Sequence, residues 1–259
     1  MKIIDLELKI QTKRFLPIVI LVVYIILSNS VFFLCNEQTI KALAEEDKFF
    51  ETLGAIFFLL ASLLFFFLFI KSKTGNDFYL FSLKKNIFFL MLAILFFVAA
   101  GEEVSWGQRF FGYTPPSVVG DTNLANEFNI HNLKFFDVRL KSGWAKWLSI
   151  ERLFLLFSLC YTLFIPVLVI LNKKIASLVT KFNIPLVPLE YGIFCFVNMA
   201  GTKILGQKLK TMFAEGLFRT MYSAGEIKET TYAFLFFMIA IYFLRIQLLS
   251  SKPKLQSSD

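Results

Sequence analysis

The feature that most constrains this chain is a set of long runs without charge. Phe15 to Asn36, Thr52 to Ile70, Asn86 to Gly101, Leu153 to Asn172 and Thr230 to Leu244 hold no acidic or basic residue, and Phe182 to Thr202 holds only Glu190. A helix rises about 1.5 Å per residue, so roughly 17–25 apolar residues cross the hydrocarbon core of a bilayer. With a turn borrowed from their flanks, the runs predict spans near 15–36, 49–70, 84–103, 150–172, 182–202 and 230–249. Barrel strands would alternate apolar and polar residues, and these runs are continuous. The expected architecture is all-α: a polytopic membrane helix bundle of about six transmembrane helices, forming a single integral membrane domain over 1–259.

Composition and charge agree with this reading. The chain is 57% apolar, 34 of its residues are Phe, and its mean hydropathy is +0.66. The formal charge of +8 does not point to nucleic acid, because the basic residues flank the apolar runs and no basic stripe with interleaved aromatics occurs outside them. The expected partner is the lipid bilayer. Lys2, Lys9, Lys13 and Arg14 precede the first span. Lys71, Lys73, Lys84 and Lys85 follow the second, Lys173, Lys174 and Lys181 follow the fourth, and Arg245, Lys252 and Lys254 follow the sixth. By the positive-inside rule both termini are cytoplasmic. The first run is too long for a signal-peptide core, so a retained helix is expected. Cys35, Cys160 and Cys195 form no CxxC pair and no disulfide framework.

The opposite side collects the acids and all three tryptophans (Trp106, Trp144, Trp147), as an interfacial belt would. Its long outer loop, 104–147, is far beyond the usual connection length, and long loops are often functional. The segment 203–224 carries apolar residues at Leu205, Leu209, Met212, Phe213, Leu217 and Met221, with Lys208, Lys210 and Arg219 between them. That spacing predicts an amphipathic interfacial helix.

Candidate chemistry centres on Gly101-Glu102-Glu103-Val104-Ser105-Trp106-Gly107-Gln108-Arg109. Acids at the C-terminal end of a helix oppose its dipole, and ionisable groups at membrane depth are expensive enough to signal function. Adjacent residues point about 100° apart on a helix, so one acid of the pair is expected to face the bundle interior. His131, the single histidine, lies in Asn126-Glu127-Phe128-Asn129-Ile130-His131-Asn132 and returns to the same side. Catalytic candidates are therefore Glu102, Glu103, His131 and Arg109. Glu103, His131 and Glu51 are the candidate ligands if a divalent metal serves as cofactor. Glu226 and Glu229 open the sixth span, where Ser223-Ala224-Gly225-Glu226 reads as a capping box. Glu190 lies one-third into the fifth span from the cytoplasm, as a proton site or as a group snorkelling to the interface.

Glu102-Glu103 with Ser105-Trp106-Gly107-Gln108-Arg109 and the downstream His131-Asn132 resembles a family of uncharacterised bacterial multi-pass membrane proteins. The resemblance covers roughly the central third of the chain and the acidic start of the second helix, and implies a bacterial inner membrane location. A looser similarity is to CAAX-protease-like intramembrane hydrolases, which carry a Glu-Glu pair followed closely by Arg, with later His and Asn. Here Arg109 lies farther from the pair and there is one histidine.

The functional expectation is a membrane-embedded enzyme acting on a lipid or lipid-linked substrate at the non-cytoplasmic face. Glu102 or Glu103 would serve as base or metal ligand, His131 as second base or ligand, and Arg109 as anion clamp. The alternatives are a proton- or ion-coupled transporter using Glu190, Glu102 and Glu51, and a non-catalytic scaffold or accessory protein.

Overall fold

A computed structural model describes residues 15–44, 48–72, 85–137, 140, 142–212 and 217–250. The described chain is helical, its one extended pairing being an isolated antiparallel bridge between Asn123 and Leu133. In chain order the helices are α1 (Phe15–Leu34), α2 (Glu37–Ala44), α3 (Phe49–Lys71), α4 (Ile87–Glu103), α5 (Ile150–Leu171, with a π turn at Cys160–Phe164), α6 (Lys173–Lys181), α7 (Leu189–Met212) and α8 (Leu217–Ser250). Short single turns fill the segment between α4 and α5. By length and composition, four helical stretches suffice to cross a membrane: Leu16–Leu34, the stretch ending at Lys71, Ile150–Leu171 and Ala224–Leu249.

Local chemistry sets the boundaries. The Asn86 side chain accepts from the Phe88 N–H at the start of α4, Ser149 caps α5 through the Arg152 N–H, and Asn172 caps α6 through the N–H groups of Lys174 and Ile175. Such caps satisfy donors that a helix start leaves open. The span expected over 182–202 becomes helical only at Leu189. Pro185 and Pro188 hold the preceding segment extended, since the residue before a proline avoids helical geometry. Glu190 consequently sits in the first turn of α7, where the dipole favours an acid, and not one-third into a span. Ser223 to Glu226 lies inside the continuous α8, so the expected capping box does not form. The stretch 203–224 is shared between the end of α7 and the start of α8, with 213–216 outside the described residues.

The bundle is organised around α8, which packs on α1, α2, α3 and α7. Its middle is filled by rings: Phe65, Phe96 and Phe236 are fully buried. Phe236 meets Phe96 at 4.6 Å, Phe157 at 5.8 Å and Phe154 at 5.9 Å between centroids. Along the bundle, hydroxyls of Ser and Thr bond locally or across one close contact, while the Tyr24 and Tyr232 hydroxyls are buried without a hydrogen-bond partner. Ser62 donates to the Ala93 carbonyl at 2.8 Å, joining α3 to α4. Thr230 donates to the Phe50 carbonyl at 2.8 Å, joining α8 to α3.

Pro166 has no N–H to offer the carbonyl of Thr162 one turn earlier, and α5 widens into its π turn at that point. Gly192 of α7 packs against that carbonyl so closely that a Cβ would stand 2.2 Å from the oxygen. The outer surfaces of α1, α3, α4, α5 and α7 expose Leu27, Leu63, Met91, Leu171 and Ile193, the apolar face that a helix turns to lipid.

Candidate functional site

The acids foreseen in the sequence do meet at one end of the bundle, but with divided roles. Glu102 and Glu103 are the last two residues of α4. After them the chain reverses through Ser105 (φ 46°), Trp106 (φ 53°) and Gly107 (φ 85°), three successive left-handed residues of which only glycine accepts the geometry without strain. The reversal folds the Trp106 indole back over Gly101, where a Cβ would lie 2.9 Å from the ring. Gly101 therefore makes room for the indole, and the indole N–H donates to Glu102 Oε1 at 2.7 Å.

Glu102 is fully engaged by the loop. Its Oε2 accepts the backbone N–H groups of Ile130 at 2.6 Å and His131 at 3.0 Å, and stands 3.5 Å from His131 Nδ1. These donors give the carboxylate at the wrong end of a helix dipole the positive partners the helix itself denies it. The rest of the motif performs the same work. Ser105, Asn129 and Asn132 all donate to Glu127 Oε2, at 3.0, 2.6 and 3.2 Å. Gln108 accepts the Phe128 N–H at 2.6 Å and donates to the Asn126 carbonyl at 3.3 Å. Asn123 accepts from the N–H groups of Ala125 and Glu127 and donates to Asn129. The motif is thus a socket, and residues 123–132 are the polar plug that holds His131 at the bundle's end.

Glu103 points elsewhere, into the helices. The charges of Glu229, Glu51 and Glu102 act on it, so α3, α4 and α8 each contribute a carboxylate. Glu229 in turn lies within electrostatic reach of His131, Lys228 and Glu151. Lys228 pairs with Glu151 at the start of α5 and is 4.0 Å from Glu229. Asn198 of α7 donates to the Lys228 carbonyl at 3.0 Å, tying α7 to α8 beside these groups. Burial alone would lower the His131 imidazole. The Glu102 hydrogen bond and the charges of Glu229, Glu102 and Glu127 override it, and hold the imidazole above its ordinary value.

Of the sequence candidates, Glu102, Glu103, His131 and Glu51 are brought to one end of the bundle. Arg109 has its backbone in the turn Gln108–Phe111, but its side chain lies outside the described ones. Glu51, Glu103 and His131 do not form a ligand set: among the described residues, no three side chains of His, Cys, Asp or Glu are placed to hold a metal ion. Sequence reasoning passed over Lys228 and Glu151, whose pairing joins residues 77 apart. The available signal was Lys228 standing between Glu226 and Glu229 at the start of an uncharged run. A shallow hollow of about 350 Å³ on α3, lined by Lys48, Phe49, Thr52, Leu53 and Ile56, is not this site. Those residues lie on the other face of the helix from buried Glu51.

No protein-family profile matches this chain, and no curated protein and no solved structure is significantly similar to it.

Proposed function

We propose that the chain is a multi-pass membrane protein, six helices deep with both termini cytoplasmic, that performs acid–base chemistry on a lipid or lipid-linked substrate at its non-cytoplasmic face. A bacterial inner membrane is the location this reading carries. The supporting observation is a division of labour. Glu102 is consumed in holding the loop, while Glu103 stays among the helix ends within electrostatic reach of Glu229, and Glu229 within reach of the histidine that loop delivers.

In this reading Glu103 is the base that takes a proton from water or a substrate hydroxyl, and Glu229 shares that proton as like charges require. His131, held toward its protonated form by Glu102, supplies a proton to the departing oxygen. Arg109 is the candidate anion clamp for a phosphate or carboxylate headgroup, and Glu102 is a positioning residue. A proton-coupled transport path has less support: Glu190 belongs to the first turn of α7, and fully buried Phe65, Phe96 and Phe236 fill the bundle between it and the acidic end.

The test compares the lipids of cells producing wild type, Glu103→Gln or His131→Ala at matched protein levels, by mass spectrometry. Loss of a wild-type-dependent lipid change in both variants is the expected result. Wild-type lipid profiles from both well-folded variants would overturn the proposal.

A further inference from the structure

The loop between α4 and α5 is built inside out. Among its described residues from Val104 to Leu148, the buried ones are Ser105, Gly107, Pro115, Asn123 and Asn129, and no large apolar side chain is among them. Phe128, Leu133, Phe136 and Leu148 are half-buried, and six other large apolar side chains face outward: Phe110 is 73% exposed, Phe111 82%, Val118 81%, Phe135 67%, Leu140 67% and Trp147 65%. A water-facing loop of this length buries its aromatics and leaves its asparagines outside. Singly exposed apolar residues are ordinary, but a surface made of them signals a covering phase.

Two features of the structure say what covers this one. The loop is tethered at both ends to helix termini, Glu103 of α4 and Ile150 of α5. The exposed apolar sides of those helices, at Phe97 and Leu153, run directly into it. At the α5 end, the Arg152 guanidinium lies 5.6 Å over the Trp147 ring, the pairing of amphipathic groups found at headgroup level.

We infer that the loop 104–148 lies in the outer interface of the bilayer, its aromatic surface among the lipid headgroups and upper acyl chains and its polar plug turned toward Glu103 and Glu229. The inference rests on the membrane reading above and deepens it. Substrate reaches the carboxylates sideways, from the leaflet, beneath a loop already seated in lipid.

All three tryptophans of the chain, Trp106, Trp144 and Trp147, lie in this loop, so unmodified protein reports on it. The full chain is reconstituted into phosphatidylcholine–phosphatidylglycerol vesicles, and resistance to alkaline extraction first establishes insertion independently of loop placement. Tryptophan emission is then quenched by lipids brominated at shallow or deep chain positions and by aqueous acrylamide. The same series is run with Val118→Trp, which places a probe at the loop's middle. The expected result is several-fold stronger quenching by shallow than by deep bromines, with weak acrylamide quenching, and added Val118→Trp emission that follows the same order. Strong acrylamide quenching with no bromine effect would put the loop in water and overturn the inference. Protection from both quenchers, with a crosslinked dimer, would assign the surface to a second copy and overturn it equally. No activity enters the readout, so its failure is separable from failure of the catalytic reading.

Discussion

The middle of the bundle and its acidic end are held by opposite means. In the middle, neighbouring rings do the packing and the hydrogen bonds close within a turn or across one helix contact, as Thr162 on Ser158 at 2.7 Å and Ser62 on Ala93 at 2.8 Å, while the buried Tyr24 and Tyr232 hydroxyls have no hydrogen-bond partner. At the acidic end the bonds join residues far apart in sequence: Glu102 to Ile130, Ser105 to Glu127, Lys228 to Glu151. The difference teaches where residue identity matters. A membrane interior gains little from apolar transfer, because lipid is as apolar as the core, and depends on fit. The acidic end depends on particular donors and acceptors, whose loss nothing nearby replaces.

The largest effect is expected where fit is tightest. Gly192→Ala forces a Cβ to 2.2 Å from the Thr162 carbonyl oxygen, a backbone atom that cannot move aside, and should cost about 3 kcal/mol or more. Thermal unfolding in detergent, followed by loss of the monodisperse chromatographic peak, measures it. A variant as stable as wild type would show that the α5–α7 contact is looser than described. Phe236→Ala comes next. It empties a site touched by Phe96, Phe154 and Phe157 and should cost about 2–3 kcal/mol in the same assay. That is below the usual range for a buried Phe in a water-soluble core, because the transfer part is missing.

Glu102→Ala moves the test to the other region. It strips the partner from two backbone N–H groups and the Trp106 indole, and should cost about 2 kcal/mol, confined to the loop. Limited proteolysis should cut within 120–134 far faster while the bundle melts near its wild-type temperature. If instead the whole protein melts earlier by the full amount, the plug and the bundle are one cooperative unit and the contrast between regions fails.

The pH response of the loop is smaller and has a definite sign. His131 is held above its ordinary value by Glu102, Glu229 and Glu127 against burial. A group raised in the folded state contributes stability that is complete below its unfolded value, about 6.5, and is lost as pH rises through the higher folded value. Exchange rates of the 123–132 amides, corrected for intrinsic pH dependence, should therefore rise across that window, and His131→Gln should flatten the rise. A wild-type profile as flat as the variant's would remove His131 from the clamp.

Four of the expected spans, those near 15–36, 49–70, 150–172 and 230–249, coincide with helices long and apolar enough to cross a membrane, and they were legible because lipid imposes a rule on sequence: backbone polar groups must be satisfied within the helix and side chains must be uncharged. The start of α7 was misplaced because an uncharged run says nothing of helicity once Pro185 and Pro188 intervene. The capping box failed because Ser223 to Glu226 has the right letters inside a helix that begins at Leu217. At the site, topology alone brought Glu51, Glu102, Glu103 and His131 to one end. Their roles were not legible. Glu102 and Glu103 are adjacent and chemically identical, and only the helix phase and the chain reversal at Ser105 to Gly107 send one to the loop and the other to the helices. Glu127 looked like a loop acid, yet it gathers Ser105, Asn129 and Asn132. A bond between residues 22 apart, as Ser105 to Glu127, leaves no periodic trace.

The finest test of the contrast is a substitution expected to leave stability almost unchanged. Glu103→Gln preserves shape and removes a charge that stands among Glu229, Glu51 and Glu102. If Glu103 served the fold as Glu102 does, losing the charge would weaken the acidic end. Among like charges the opposite holds, since removing one relieves repulsion on the others. The melting temperature in detergent should stay level or rise slightly, by about 0–1 kcal/mol in stability terms, while the lipid change attributed to wild type disappears. Because stability and function would move in different directions, the result separates a carboxylate kept for chemistry from one kept for structure. A destabilised Glu103→Gln protein would place both acids of the pair in the socket, and leave Glu229 and His131 as the residues to examine for proton transfer.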